Sequence, residues 1–373
     1  MKKFILVFVM FLISCSSAPA KAKAFGLSGN FSTAPTSASL SNPEIAGILL
    51  TKDWADMEPE EGKYNWTSLD FGIQKIINSG KSVSLNIMAG GARTPDWVKA
   101  GSQLFSFIDT NKFHPTYGQV LEMPVYWDPV FLQKKKNFIN ALSNHIRQKF
   151  GAGAVKGVMV SFVASINNDM HVPHDSSDIS NWKAAGYTTE RMLEAGKETI
   201  SAWAGAFPRA SLKLPIAPTH KDLDGNSTNM AESIVNWAYS EYPDRFFAQV
   251  NGFSAQTPRA DDPAVRNAVP GTMNYFLKLL LNRPQMGLQM LASASLGASD
   301  GCRQNGYISP CLPYDVLLES VARALSYGPS FIEYWSQDAD NPELRTALKT
   351  AREGMLFVIP PKCVDEMKRA GTW

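Results

Sequence analysis

An acidic side chain inside an otherwise apolar run needs a reason, and Glu333 is such a residue, standing in Ser330-Phe-Ile-Glu-Tyr-Trp335. Ionised, it is costly there unless it faces a polar cavity or has a partner. One reading makes it a functional carboxylate at the mouth of a site, accepting hydrogen bonds or moving a proton. The other makes it a structural carboxylate held by a neighbouring Lys, Arg or backbone amide. Four tryptophans, Trp54, Trp97, Trp127 and Trp335, fall at or just beyond the ends of apolar runs or in a long loop. Indole faces at a cavity rim can stack on the C–H faces of pyranose rings, whereas indoles turned inward are core. Each residue alone fits both roles, and the four together favour the first. Lys52, Asp53, Asn86, Asn167, His220, Gln249, Asn251 and Gln289 occupy the same layer and would supply the few converging hydrogen bonds of a small-molecule pocket. That set is rich in amides and poor in carboxylates, which suits neutral hydroxyl groups. No metal and no cofactor are expected. The five His (His114, His145, His171, His174 and His220) show no HExxH spacing, the Cys show no CxxC, and no GxGxxG follows the first strand.

The elements that must carry these residues alternate. Short apolar or β-branched runs occur near 25–29, 45–51, 82–89, 155–164, 211–217, 246–253, 286–292 and 330–335. Between most of them lie apolar residues at helical spacing, such as Leu69, Ile73, Ile76 and Ile77, or Phe131, Phe138, Leu142, Ile146 and Phe150. Eight strands separated by helices predict an α/β fold, a single (β/α)8 TIM barrel over residues 25–373 with its site at the C-terminal rim. The first unit is the least regular, because residues 30–44 read as loop. Forty residues, 90–129, separate the third strand from the next helix, and two alternating runs there, Leu104–Ile108 and 120–126, predict a hairpin insertion after strand three. Loops longer than about 15 residues in compact domains are usually functional or disordered, and this one would cover the rim.

Charge and targeting narrow the partners. The chain of 373 residues holds 36 Lys+Arg against 34 Asp+Glu, net +2, with 45% hydrophobic residues. Such a chain can bury a large core and has no field with which to attract nucleic acid, which is not an expected partner. Lys2 and Lys3 precede the apolar run Phe4 to Ile13, which is too short to span a bilayer and reads as a signal peptide. It ends in Leu12-Ile13-Ser14-Cys15, similar to a bacterial lipobox, so residues 1–15 are expected to be the signal with a lipidated Cys15, and 16–24 a tether. Ordinary secretory cleavage after Ala18 or Ala20 is the alternative. The expected location is the cell envelope, held to the membrane only by the lipid; Ser16 carries no acidic retention signal, which by resemblance favours the outer membrane. In an oxidising compartment Cys302 and Cys311, nine apart in GCRQNGYISPC, are expected to form a local disulfide, the alternative being two free thiols.

Three motifs carry a family resemblance. Trp54-Ala-Asp-Met-Glu-Pro-Glu-Glu-Gly-Lys-Tyr-Asn-Trp66 with Leu69-Asp70, Thr94-Pro-Asp-Trp-Val98 and Pro124-Val-Tyr-Trp-Asp-Pro129 resemble clan A glycoside hydrolases, notably the family 42 β-galactosidase-like proteins. The first motif also reads as scaffold: Glu58-Pro59 ends a strand, Gly62 turns it, and Tyr64 and Trp66 lead into a helix. The resemblance implies a carbohydrate substrate and a Glu, usually after Asn, at the end of strand four, with a second Glu at the end of strand seven. Here strand four runs out through Ser161-Phe-Val-Ala-Ser-Ile-Asn-Asn-Asp-Met-His171, whose nearest carboxyl is Asp169, and strand seven carries Gln289. A Gln cannot form a glycosyl-enzyme ester. Two functions are therefore expected in competition: a glycosidase using Glu333 and Asp169 as a displaced carboxyl pair, or a barrel that binds glycan without cleaving it.

Overall fold

In a computed structural model, the described residues are 27–89, 91–110, 115–163, 170, 176–216, 229–270, 272–281, 283, 285–296, 302, 305–306 and 311–356. Among these residues ten strands run in chain order: β1 Gly29–Ser32, β2 Ile45–Asp53, β3 Ser82–Met88, β4 Leu104–Ile108, β5 Val120–Pro124, β6 Val155–Met159, β7 Ser211–Ile216, β8 Phe246–Phe253, β9 Met286–Met290 and β10 Phe331–Tyr334. Eight of them close a parallel barrel in the order β1-β10-β9-β8-β7-β6-β3-β2. The fold is a (β/α)8 barrel. Helices such as Thr67–Asn78, Pro129–Phe150, Thr189–Ala206, Asn229–Glu241 and Pro313–Leu325 lie between successive barrel strands.

Alternation along each strand divides two cores. Ile48 and Leu50, Val83 and Leu85, Leu212 and Leu214, and Ile332 and Tyr334 belong to the large buried cluster shared with the helices. Residues of the opposite parity fill the barrel. At its base Leu27, Phe31, Phe247 and Phe331 form a separate apolar cluster, with Phe331 5.9 Å from Phe31 and 5.8 Å from Phe247. The rings fit because β2 and β9 carry Gly47 and Gly287 beside them; a Cβ at Gly47 would overlap the Phe31 ring, and one at Gly287 the Phe331 ring. Above this floor the interior turns polar.

The first strand lies about four residues later than the run near 25–29 suggests. Its central Asn30 is fully buried, donating through Nδ2 to the carbonyls of Glu44 (3.1 Å) and Leu348 (2.7 Å), so a polar residue does stitching that hydrophobicity does not reveal. The stretch after it includes a five-residue helix, Ser37–Ser41, capped by Thr36, whose Oγ1 accepts from the Ser39 amide at 3.0 Å.

The insertion after the third barrel strand is an antiparallel hairpin of β4 and β5, with Leu104 opposite Pro124 and Ile108 opposite Val120. Its inner face is held by aromatic stacking: Phe105 lies 3.8 Å, face to face, from Trp182 of the helix Ser176–Ala184. Asp128 secures the exit, since Oδ1 accepts from the Phe131 amide (2.8 Å) to cap the helix Pro129–Phe150 while Oδ2 accepts from the Gln103 amide (3.2 Å). Cys302 and Cys311 are joined by a disulfide, Cα to Cα 6.0 Å. Among the described residues, no helix is long and apolar enough to cross a membrane.

Candidate functional site

The middle layer of the barrel contains a closed charge network. Lys213 on β7 and Glu333 on β10 both have no exposed surface, and the Lys213 ammonium donates to Glu333 Oε1. The same ammonium lies 5.4 Å from the centre of the Phe331 ring. Glu333 Oε2 accepts from Gln249 Nε2 at 2.8 Å and from Gln289 Nε2 at 3.4 Å, and Gln249 Nε2 also donates to Asn251 Oδ1 at 2.8 Å. Of the two readings of Glu333, the geometry matches the structural carboxylate, because both its oxygens are occupied by protein donors. The partner was legible in principle. Lys213 sits in Ser211-Leu-Lys-Leu-Pro-Ile216, as anomalous there as Glu333 is in its own strand, and two buried opposite charges solve each other's desolvation.

Around this network the strand ends form the mouth. Asn251 and Gln289, on neighbouring strands, are partly open, and Trp335 follows β10 at 36% exposure. The Trp335 indole N–H donates to the Met290 carbonyl at 2.9 Å, which fixes the ring while leaving part of it uncovered. Across the mouth Asn86 is nearly buried, its Nδ2 donating to Thr51 Oγ1 at 3.3 Å. Asp53 at the end of β2 is paired with Arg93 at 2.6 Å, whereas Lys52 belongs to the outward parity of that strand. Asp338 ties the loops after β9 and β10 together, accepting from Ser293 Oγ (2.7 Å), the Ala294 amide (3.0 Å) and the Ser295 amide (2.9 Å). Burial raises its carboxyl above the ordinary range, with those hydrogen bonds opposing the shift.

Three of the four tryptophans are placed elsewhere than a stacking rim. Trp54 has no exposed surface: it shares the even parity of Ile48 and Leu50 and points to the helix layer, 5.1 Å from Phe138 and 6.2 Å from Trp97. Its indole N–H donates to Glu58 Oε2 at 2.8 Å, and Glu58 Oε1 accepts from the Gly62 amide at 3.0 Å. The Glu58 carbonyl takes the Trp97 indole N–H at 2.9 Å, and Lys134 covers the Trp97 ring at 4.8 Å. The motif from Trp54 to Trp66 is thus a scaffold organised around a buried glutamate. Trp127 is partly buried, 5.8 Å from Trp182 and 5.9 Å from Tyr187, beneath the hairpin. Asn167, Asp169 and His220 lie outside the described residues, as does Cys15. Among the described residues no group of three or more His, Cys, Asp or Glu is placed to hold a metal ion.

A second buried lysine borders the end of the fourth barrel strand. Lys135, on the helix Pro129–Phe150, donates to the Ser161 carbonyl at 3.3 Å and lies 5.5 Å from the centre of the Phe131 ring. Burial pushes its pKa down to about 8. An unfolded lysine titrates near ~10.4, so the native state binds fewer protons between these values. The stability linked to this group is therefore complete above ~10.4 and lost as pH falls through about 8. Lys135→Met is expected to raise the unfolding free energy at pH 7 by about 2 kcal/mol and to remove this rise with pH. Urea unfolding of both proteins at pH 7 and pH 10 measures it, and parallel curves for the two would contradict the assignment.

The comparisons agree with the architecture. Residues 47–161 match the model of glycoside hydrolase family 42, described as β-galactosidase, a segment running from β2 past β6 and including the hairpin. Among solved structures, the exo-β-1,4-mannosidase Op5Man5 from Opitutaceae bacterium strain TAV5 is similar at 11% identity and a TM-score of 0.50, over 90% of this chain and 62% of that one. The cold-adapted β-galactosidase from Rahnella sp. R3 is similar at 12% identity and a TM-score of 0.54, over 89% of this chain and 58% of that one. The catalytic domain of a β-amylase from Paenibacillus polymyxa is similar at 7% identity and a TM-score of 0.53, over 92% of this chain and all of that one. At these identities the likeness is one of fold, and the chain spans under two thirds of the mannosidase and galactosidase chains. No curated protein sequence matches the chain.

Proposed function

We propose that this chain is a carbohydrate-active barrel that takes a neutral oligosaccharide into its C-terminal mouth and holds it without forming a glycosyl-enzyme intermediate. One observation carries the reading. At the end of the seventh barrel strand stands Gln289, and the carboxylate it touches, Glu333, is sealed beneath it with both oxygens engaged. Retaining hydrolysis needs two carboxyl groups about 5–5.5 Å apart, one free to attack. A Gln cannot attack, and Glu333 would first have to leave Lys213. Supporting the ligand class are the amide-lined mouth of Asn86, Asn251 and Gln289, the Trp335 ring at its edge, and the match of residues 47–161 to a glycosidase family.

That match also favours a second reading, hydrolysis with Asp169 and Glu333 as a displaced carboxyl pair, one as acid and the other as base. The two are separated by incubating the protein with β-galactosides, β-mannosides and other oligosaccharides, following binding by calorimetry and release by chromatography. Binding without release is expected. Release that Asp169→Asn abolishes would replace this reading with the second, and absence of binding to every saccharide would reject both.

Export and lipidation at Cys15 belong to the same proposal, supported by the Leu12-Ile13-Ser14-Cys15 sequence and consistent with a disulfide at Cys302–Cys311. Radiolabelled palmitate should enter the protein in bacterial cells and be lost in Cys15→Ser.

A further inference from the structure

We infer that Glu333 is a positioning residue that fixes which way the amides of the mouth face, so that the site accepts an uncharged saccharide and rejects its uronic-acid counterpart; this rests on the carbohydrate reading above. A carboxylate in an ion pair offers only lone pairs. Any amide group facing its Oε2 must present the NH2 end, and Gln249 and Gln289 both do so, at 2.8 and 3.4 Å. The Gln249 NH2 is doubly committed, since it also donates to Asn251 Oδ1 at 2.8 Å. Both glutamine carbonyl oxygens are therefore turned away from Glu333. That of Gln249 is fully buried and has no hydrogen-bond partner among the described residues. The Gln289 side chain reaches the partly open wall of the mouth.

The result is an acceptor-rich floor whose polarity cannot be reversed by rotating an amide, because reversal would set a carbonyl oxygen against a carboxylate. A ligand hydroxyl set against the Gln289 carbonyl oxygen, at the partly open wall, would donate to it, whereas the Gln249 oxygen has no exposed surface and acts only by holding its NH2 end toward Glu333. A carboxylate or sulfate has no hydrogen to give and would meet lone pairs. Among the described residues, the cations Lys213 and Arg93 are already matched, with Glu333 and Asp53 respectively. Selection for neutral sugars thus comes from a charge the ligand never touches.

The test uses the intact chain and matched neutral and uronate oligosaccharides of the galacto, manno and gluco series, titrated by calorimetry. Wild type should bind one neutral member at least about tenfold more tightly than its uronate, a difference of about 1.4 kcal/mol. Gln289→Leu should weaken the neutral ligand about tenfold. Glu333→Gln alone would strand Lys213, so the informative variant is Lys213→Met/Glu333→Leu, which removes both charges and frees the amides to turn. In it the neutral-to-uronate ratio should fall below about threefold while the circular dichroism spectrum is kept; a purely structural role for the pair would leave the ratio unchanged. Retention of the tenfold ratio in the double variant overturns the inference and leaves the carbohydrate reading standing, whereas wild-type preference for a uronate overturns the inference together with the neutral ligand class. Wild type that binds no saccharide of either kind overturns both.

Discussion

Glu333→Gln is expected to lose about 3–5 kcal/mol of folding stability, because it leaves the Lys213 ammonium buried without a counter-charge. Lys213→Met should lose a comparable amount for the mirror-image reason, the carboxylate keeping only the two glutamine amides as partners. The double variant Lys213→Met/Glu333→Leu removes both desolvation costs together and should lie within about 2 kcal/mol of wild type. A double-mutant cycle of Lys213→Met, Glu333→Leu and the double variant, by urea denaturation, would then give a coupling of at least about 3 kcal/mol. Additive losses, or a Glu333→Gln protein as stable as wild type, would mean that water reaches Glu333 and would return it to the candidates for chemistry. The comparison matters because a solvent-facing catalytic carboxylate behaves in the opposite way, losing turnover on substitution by Gln and keeping stability.

Two tryptophans should part company just as clearly. Trp54→Ala is expected to cost about 3–5 kcal/mol, opening a cavity between the barrel and the helix Pro129–Phe150 and depriving Glu58 of the indole donor. Ligand affinity per folded molecule should be unchanged. Trp335→Ala removes a ring that is 36% exposed and one hydrogen bond to Met290, at a cost of about 1 kcal/mol, while weakening saccharide binding about tenfold. Thermal melting paired with calorimetry on both variants reads the contrast. A stable Trp54→Ala protein that no longer binds would put Trp54 in the site after all.

The barrel was legible because its signal is repeated. Seven of its strands lie where apolar runs predict them, from Ile45–Asp53 to Phe331–Tyr334, and the hairpin follows from alternation in Leu104–Ile108. What escaped was orientation. A tryptophan at a strand end counts as rim or core according to parity, and Trp54 continues the outward series of Ile48 and Leu50 through one further turn of chain, which residue type alone does not disclose. Partnership escaped too. Lys213 and Glu333 are 120 residues apart and meet only because β7 and β10 face each other across a closed sheet. Each was detectable as an oddity in its own strand, and the pairing needed the barrel.

Closure at the base by Leu27, Phe31, Phe247 and Phe331 makes the molecule a cup and not a pipe. Whatever enters the mouth must back out through it, so a long chain can offer only an end or a bend and never slide through. Long and short chains that share a terminus then compete on nearly equal terms, and travel along a polymer by threading is closed to this architecture.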